Sequence, residues 1–69
     1  MNQEELNMQV RKFLKQVGVT SQREIERAVN AALESGKLTG SERLPMRMTL
    51  TIEGLDLTHT IDGELDLSK

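Results

Sequence analysis

The side chains best suited to metal chemistry lie near the end of the chain, where three carboxylates occupy alternate positions: Asp62, Glu64 and Asp66. Carboxylate oxygens are the ligands that Ca²⁺ prefers, but an EF-hand loop also needs a central glycine and a final glutamate. Here Gly63 is the second residue of the segment, and no glutamate stands at its end. We therefore interpret these acids as solvated turn and strand residues and predict no metal site.

His59 is the only imidazole in the chain and the only candidate for proton chemistry near neutral pH. A general base must lie beside the group that it activates, and no nucleophile is specified next to His59. We predict a histidine at the rim of the core. Cysteine is absent, so thiolate metal sites are excluded. With no phosphate-binding loop either, the sequence predicts neither an enzyme nor a cofactor.

A basic cluster near the N-terminus is a stronger candidate for a binding site. None of its cations, Arg11, Lys12 and Lys15, has an acidic residue four positions before it. Arg11 and Lys15 form a like-charge pair at helical spacing, which is mildly unfavourable in an isolated helix. A solvated surface, the acidic end of the chain, a second subunit or a phosphate backbone could each account for this cluster. We take Met8, Arg11, Lys12 and Lys15 as candidate partner-binding residues.

A second polar row, formed by Arg23, Arg27 and Asn30, lies where a DNA-reading helix would carry its donors. Glu24 and Glu26 are close enough to pair with these arginines, which favours ordinary surface ion pairs. The alternative is a winged-helix-like DNA-binding protein that uses the second helix, residues 20–35, and the β-hairpin. The net charge of −2 disfavours phosphate binding.

The length of the chain and its charge distribution further restrict the possible kinds of protein. A chain of 69 residues makes a single domain, residues 1–69, of modest stability. Residues 1–47 carry eight basic and six acidic side chains, whereas residues 48–69 carry one basic and five acidic side chains. The two halves, or two copies head to tail, could attract each other.

The chain lacks a membrane-length apolar run, and its acidic start lacks the basic region of a signal peptide, so a cytoplasmic protein is predicted.

Two helices are predicted from apolar residues at helical spacing. Asn2 caps the first helix, and Gly18 ends it. Thr20 or Ser21 caps the second helix, Ser21 with Glu24 as the partner of a capping box, and Gly36 ends that helix. The apolar stripes of the two helices are Leu6, Val10, Phe13, Leu14 and Val17, then Ile25, Ala28, Val29, Ala32 and Leu33.

The pattern changes to alternation after Leu44-Pro45, which predicts strands. A two-residue loop at Glu53-Gly54 would place Met48 opposite His59. A three-residue loop at Asp62-Gly63-Glu64 would then begin a third strand with its apolar residues on the same face. This interpretation explains the repeated pattern of residues 52–57 and 61–67 as two similar turns.

The sequence thus predicts an α+β fold in which two N-terminal helices pack on a three-stranded antiparallel β-meander, in the order ααβββ. The predicted function is a non-enzymatic protein-interaction module or homodimer, whose partner is another protein or a second copy. DNA binding is the alternative, and no membrane contact is predicted.

Several segments resemble a family of short, uncharacterised bacterial proteins classed as a domain of unknown function. The most distinctive is TSQREIE at residues 20–26, within a longer resemblance that covers residues 7–8 and 11–26. Gly36-Lys37-Leu38, Leu44-Pro45 and the Asp62-Gly63 pair also resemble the family. The resemblance implies a bacterial cytoplasmic protein and carries no active-site residues across.

Overall fold

The computed structural model describes all residues, 1–69, in the element order α1 (Gln3–Glu34), β1 (Arg43–Ile52) and β2 (Leu57–Asp66). The chain divides into two units, the helical Met1–Lys37 and the β unit Leu38–Lys69. The predicted set of two helices and three strands is therefore wrong, although the α+β class holds. No helix combines the length and hydrophobicity that crossing a bilayer requires.

The ends of α1 follow the sequence signals. The Asn2 side chain accepts hydrogen bonds from the backbone N–H groups of Glu4 at 2.8 Å and Glu5 at 3.4 Å, so two of the free donors of the first turn are satisfied. At the other end Gly36 adopts a φ of +83°, the left-handed conformation that closes helices. Both predicted ends are confirmed.

The predicted break at Gly18 is wrong, because α1 runs through it without interruption. A glycine inside a helix costs about 1 kcal/mol relative to alanine, and its neighbours Val17 and Val19 are β-branched, so the good helix formers that outweigh this cost lie farther along the helix on either side. The Thr20 hydroxyl donates to the Gln16 carbonyl at 2.8 Å, so this side chain is satisfied within the helix. Ser21 is likewise a helical residue and does not cap a second helix.

The β unit is one hairpin, with β1 and β2 antiparallel over ten residue pairs. Ile52 faces Leu57 across a four-residue connection, residues 53–56, in which Gly54 and Asp56 adopt positive φ values of 88° and 51°. The predicted two-residue loop is wrong, and the register lies two residues away from the expected one. Because a shift of two preserves the face of every side chain, the apolar residues still share one face.

The loop predicted at Asp62-Gly63-Glu64 and the start of the predicted third strand are instead the last residues of β2. Gly63 lies inside the ladder opposite Met46, whose Cε would be 3.7 Å from a Cβ placed on the glycine. On the polar face, Arg47 donates to Asp62 at 2.7 Å from the directly opposite position, which favours this register. His59 faces Leu50 instead of Met48.

Candidate interaction surface

The four candidate partner-binding residues lie on one side of α1. Met8 lies three and four residues before Arg11 and Lys12, and Lys15 lies four and three residues after them, a spacing that brings side chains onto a common face. All four are exposed, and Met8 retains 65% of its accessible surface. We call this set the basic face.

The cations of the basic face lack acidic neighbours. None of Arg11, Lys12 and Lys15 has a carboxylate three or four residues away in either direction, and none forms a salt bridge. Residues 6–22 hold these three cations and no acid, which gives that segment a charge of +3. Their positive field is therefore not neutralised within the helix.

An apolar residue that the sequence interpretation missed extends this surface. Val19 is 42% exposed and continues the row of Met8, Lys12 and Lys15 at spacings of three and four residues. The assumed helix end at Gly18 concealed this relation. The extended basic face therefore combines positive charge with apolar contact area, a combination suited to an acidic surface that carries apolar side chains.

The residues considered for DNA contact also lie on α1. Arg23, Arg27 and Asn30 are exposed and share a row, and Arg27 forms an ion pair with Glu24 one turn before it. No turn separates residues 20–35 from the first half of the helix. The helix-turn-helix arrangement on which the DNA-binding alternative depends is therefore absent.

The two predicted stripes join into one apolar surface along α1, which lies opposite the basic face over residues 6–17 but not at its end, since Val29 and Leu33 follow Arg11 and Lys15 by 18 residues, or five full turns. We call this surface the apolar stripe; it runs from Leu6 to Leu33 and, at 1.5 Å per residue, is about 40 Å long. Its large side chains stay 37% to 51% exposed. These are Leu6, Val10, Phe13, Leu14, Ile25 and Leu33.

The three acids considered as metal ligands, Asp62, Glu64 and Asp66, are engaged in local contacts. The Nε of Arg43 lies 3.4 Å from Oδ2 of Asp66 and 3.9 Å from Oε1 of Glu64, and Arg47 forms an ion pair with Asp62. The hydroxyl and backbone N–H of Ser68, aided by Arg43, lower the pKa of Asp66. The carboxylates considered as calcium ligands thus lie on the polar face of the hairpin, and nowhere in the chain do three acidic or histidine side chains converge in a metal-binding group.

Glu42 organises the loop that leads into β1. Its carboxylate accepts hydrogen bonds from the backbone N–H of Thr39 at 2.8 Å, of Gly40 at 3.0 Å and of Ser41 at 3.2 Å. These bonds, that of Thr39 foremost, lower the pKa of Glu42 from 4.5 to about 2. The carboxylate therefore acts as a local structural anchor of the β unit.

Comparison with known proteins identifies the family. The model of DUF6494, a family of unknown function, matches residues 1–68, and the chain belongs to this family. The resemblance to a domain of unknown function is thereby confirmed. No curated protein and no solved structure matches the chain.

Proposed function

We propose that this member of a family of unknown function is a non-enzymatic protein-interaction module that works as a homodimer. The apolar stripe joins two copies, and the basic face of each α1 binds an acidic protein partner. The cytoplasmic location and the bacterial origin of the protein are predictions from the sequence.

One observation carries the proposal: α1 is a single uninterrupted helix that carries an apolar stripe along most of its length and a chemically different basic face over residues 8–19. An amphipathic helix gains most of its stability from burying its apolar face, so the stripe favours an apolar partner surface. The opposite face is charged, and its apolar members Met8 and Val19 are 65% and 42% exposed. Two faces of one helix can therefore serve two contacts at once.

The charge of the basic face sets the chemistry of the second partner. Arg11, Lys12 and Lys15 have no acidic neighbour within one turn, so a carboxylate-rich surface would neutralise them without first breaking an ion pair. Exposed ion pairs contribute up to about 1 kcal/mol each and weaken with salt. Contact with Met8 and Val19 adds an apolar part that salt does not screen.

The test is a titration of the full chain with a fluorescently labelled peptide rich in Asp, Glu and Leu, followed by anisotropy at low salt. Lys12→Glu should weaken binding by about fivefold or more, because a charge on the basic face is reversed. Lys37→Glu makes the same charge change beyond the end of α1 and should leave binding nearly unchanged. Equal losses in the two variants would mean that only net charge matters and would overturn the assignment of the basic face.

A DNA duplex at the same salt concentration tests the alternative. The proposal expects the peptide to bind and the duplex to bind more weakly. A duplex that binds more tightly than the peptide, with affinity lost in Lys12→Glu, would replace the acidic protein by nucleic acid as the partner.

A further inference from the structure

We infer that the acidic surface bound by the basic face is the hairpin loop of a second copy of this chain. The hairpin loop is the four-residue connection Glu53-Gly54-Leu55-Asp56 between β1 and β2. The inference rests on the proposed function and names the partner of the basic face. Two independent properties of the loop, its free charge and its exposed apolar surface, support this choice.

The hairpin loop carries negative charge that no neighbouring cation neutralises. Glu53 and Asp56 form no ion pair, and residues 48–68 contain no lysine or arginine. Every other acid of the β unit has a local partner, either an arginine or backbone N–H groups. The two loop acids are therefore the carboxylates of this unit that are free to meet a cation from outside.

The remaining acids without an ion pair, all on α1, are less suitable. Glu4 and Glu5 lie in the first turn of α1, where the positive end of the helix dipole already offsets their charge. Glu26 and Glu34 each have a basic residue three positions away. The loop acids have none within five residues, so their charge is the least compensated in the chain.

Exposed apolar surface accompanies both charge clusters. Leu55 is 68% exposed and Met8 is 65% exposed, which makes them the most exposed large apolar side chains after Met1. Leu55 lies between the two loop acids, and Met8 lies one helical turn before the first cations of the basic face. A contact that covers both side chains removes apolar area from water while it joins opposite charges.

The spacing of the charges also agrees between the two surfaces. Ile52 and Leu57 are paired across the ladder, roughly 5 Å apart, so the acids that follow and precede them leave the strands side by side. Arg11 and Lys15 are one helical turn apart, about 6 Å along α1. Two acids of the loop can therefore meet two cations of the basic face at once.

A second copy can supply this contact twice. Each copy carries one basic face and one hairpin loop, so two copies can exchange two identical contacts around a two-fold axis. Exposed ion pairs are individually weak and are screened by salt. The second contact forms within a pair of copies that the first has already brought together, so it adds to the affinity at a smaller entropic cost. The association should therefore be measurable at low salt.

A charge swap in the full chain tests the contact. The basic-face variant is Arg11→Glu with Lys15→Glu, and the loop variant is Glu53→Lys with Asp56→Lys. Neither variant can form the contact with itself, because its basic face and its loop then carry like charges. In an equimolar mixture both contacts are restored, since each face meets a loop of opposite charge on the other variant.

Fluorescence anisotropy of the labelled basic-face variant, titrated with the loop variant at low salt, measures the mixed association. The dissociation constant of the mixed pair should be at least about tenfold lower than that of either variant with itself, and added salt should remove the difference. A mixed pair that binds no more tightly than like copies would overturn the inference. A loop that binds the basic face of its own chain would give that result as well.

Glu26→Lys with Glu34→Lys is the matched control, because it gives the same net charge as the loop variant and leaves the loop intact. It also preserves the ion pair of Arg27 with Glu24. This control should bind the basic-face variant at least about fivefold more weakly than the loop variant does. Equal binding would mean that only net charge matters and would overturn the assignment of the loop.

The acidic-peptide titration separates this inference from the proposed function. If Lys12→Glu weakens peptide binding but the charge swap produces no mixed association, the basic face binds a different acidic protein and the inference alone is overturned. If charge reversal on the basic face changes neither peptide binding nor mixed association, the basic face has no role in binding and the proposed function is overturned with the inference.

Discussion

Replacing Gly18 by alanine tests whether α1 is one helix. Gly18 is an internal helical residue, and a Cβ added there would meet no atom within 4 Å. The substitution therefore carries no steric cost, and alanine gains its full helix preference of about 0.8–1.0 kcal/mol. Urea unfolding followed by circular dichroism at 222 nm, at low protein concentration, should show a higher midpoint and a larger helical signal.

Gly36→Ala is the matched control, because its added Cβ also meets nothing within 4 Å but its φ is +83°. Only the backbone conformation differs between the two sites, and alanine in the left-handed region costs about 1–2 kcal/mol. Gly18→Ala should stabilise the helix and Gly36→Ala should destabilise it. Destabilisation by Gly18→Ala of the same size as by Gly36→Ala would place a helix end at Gly18 and refute the continuous helix.

Three further predictions concern the β unit, each measured from the free energy of unfolding. Gly63→Ala should stabilise the β unit by about 0.4–1 kcal/mol, because the strand accepts a Cβ beside Met46. Gly54→Ala, at a φ of +88°, should destabilise it by at least about 1 kcal/mol. Destabilisation by Gly63→Ala together with stabilisation by Gly54→Ala would indicate a turn at Gly63. The pKa of Glu42 is lowered from 4.5 to about 2, so the stabilisation by its carboxylate is present above pH 4.5 and is lost as the pH falls toward 2. Glu42→Gln should therefore make the free energy of unfolding less dependent on pH between 4.5 and 2. An unchanged dependence would contradict the role of Glu42 as a structural anchor. A double-mutant cycle on Arg47 and Asp62 should give a coupling energy of about 0.2–1 kcal/mol that salt reduces. Zero coupling at low salt would mean that this ion pair does not help to set the strand register.

Local signals with a single physical meaning could be predicted from the sequence. Asn2 satisfies two donors of the first turn, and Gly36 closes the last turn, so both ends of α1 were fixed by their neighbours alone. The common face of the basic residues also followed from spacing. The apolar face of the hairpin could be predicted as well, because side-chain parity survives any even shift of register.

The errors came from glycines, whose conformation depends on competition between structures. At Gly18 the chain could either turn or accept about 1 kcal/mol of helix penalty, and the helix formers farther along on both sides favour the continuous helix. At Gly63 the choice was between a turn and a longer ladder. Cross-strand pairing of Arg47 with Asp62, together with Met46 lying over the glycine, favours the ladder. Such long-range contacts cannot be derived from a local pattern.

Sedimentation equilibrium of the unmodified full chain at low salt, over a wide concentration range, tests the central claim most directly. A homodimer through the apolar stripe predicts a weight-average mass that rises from the chain mass of 7.8 kDa toward twice that value as concentration increases. A mass that stays at 7.8 kDa up to the highest soluble concentration would contradict the homodimer.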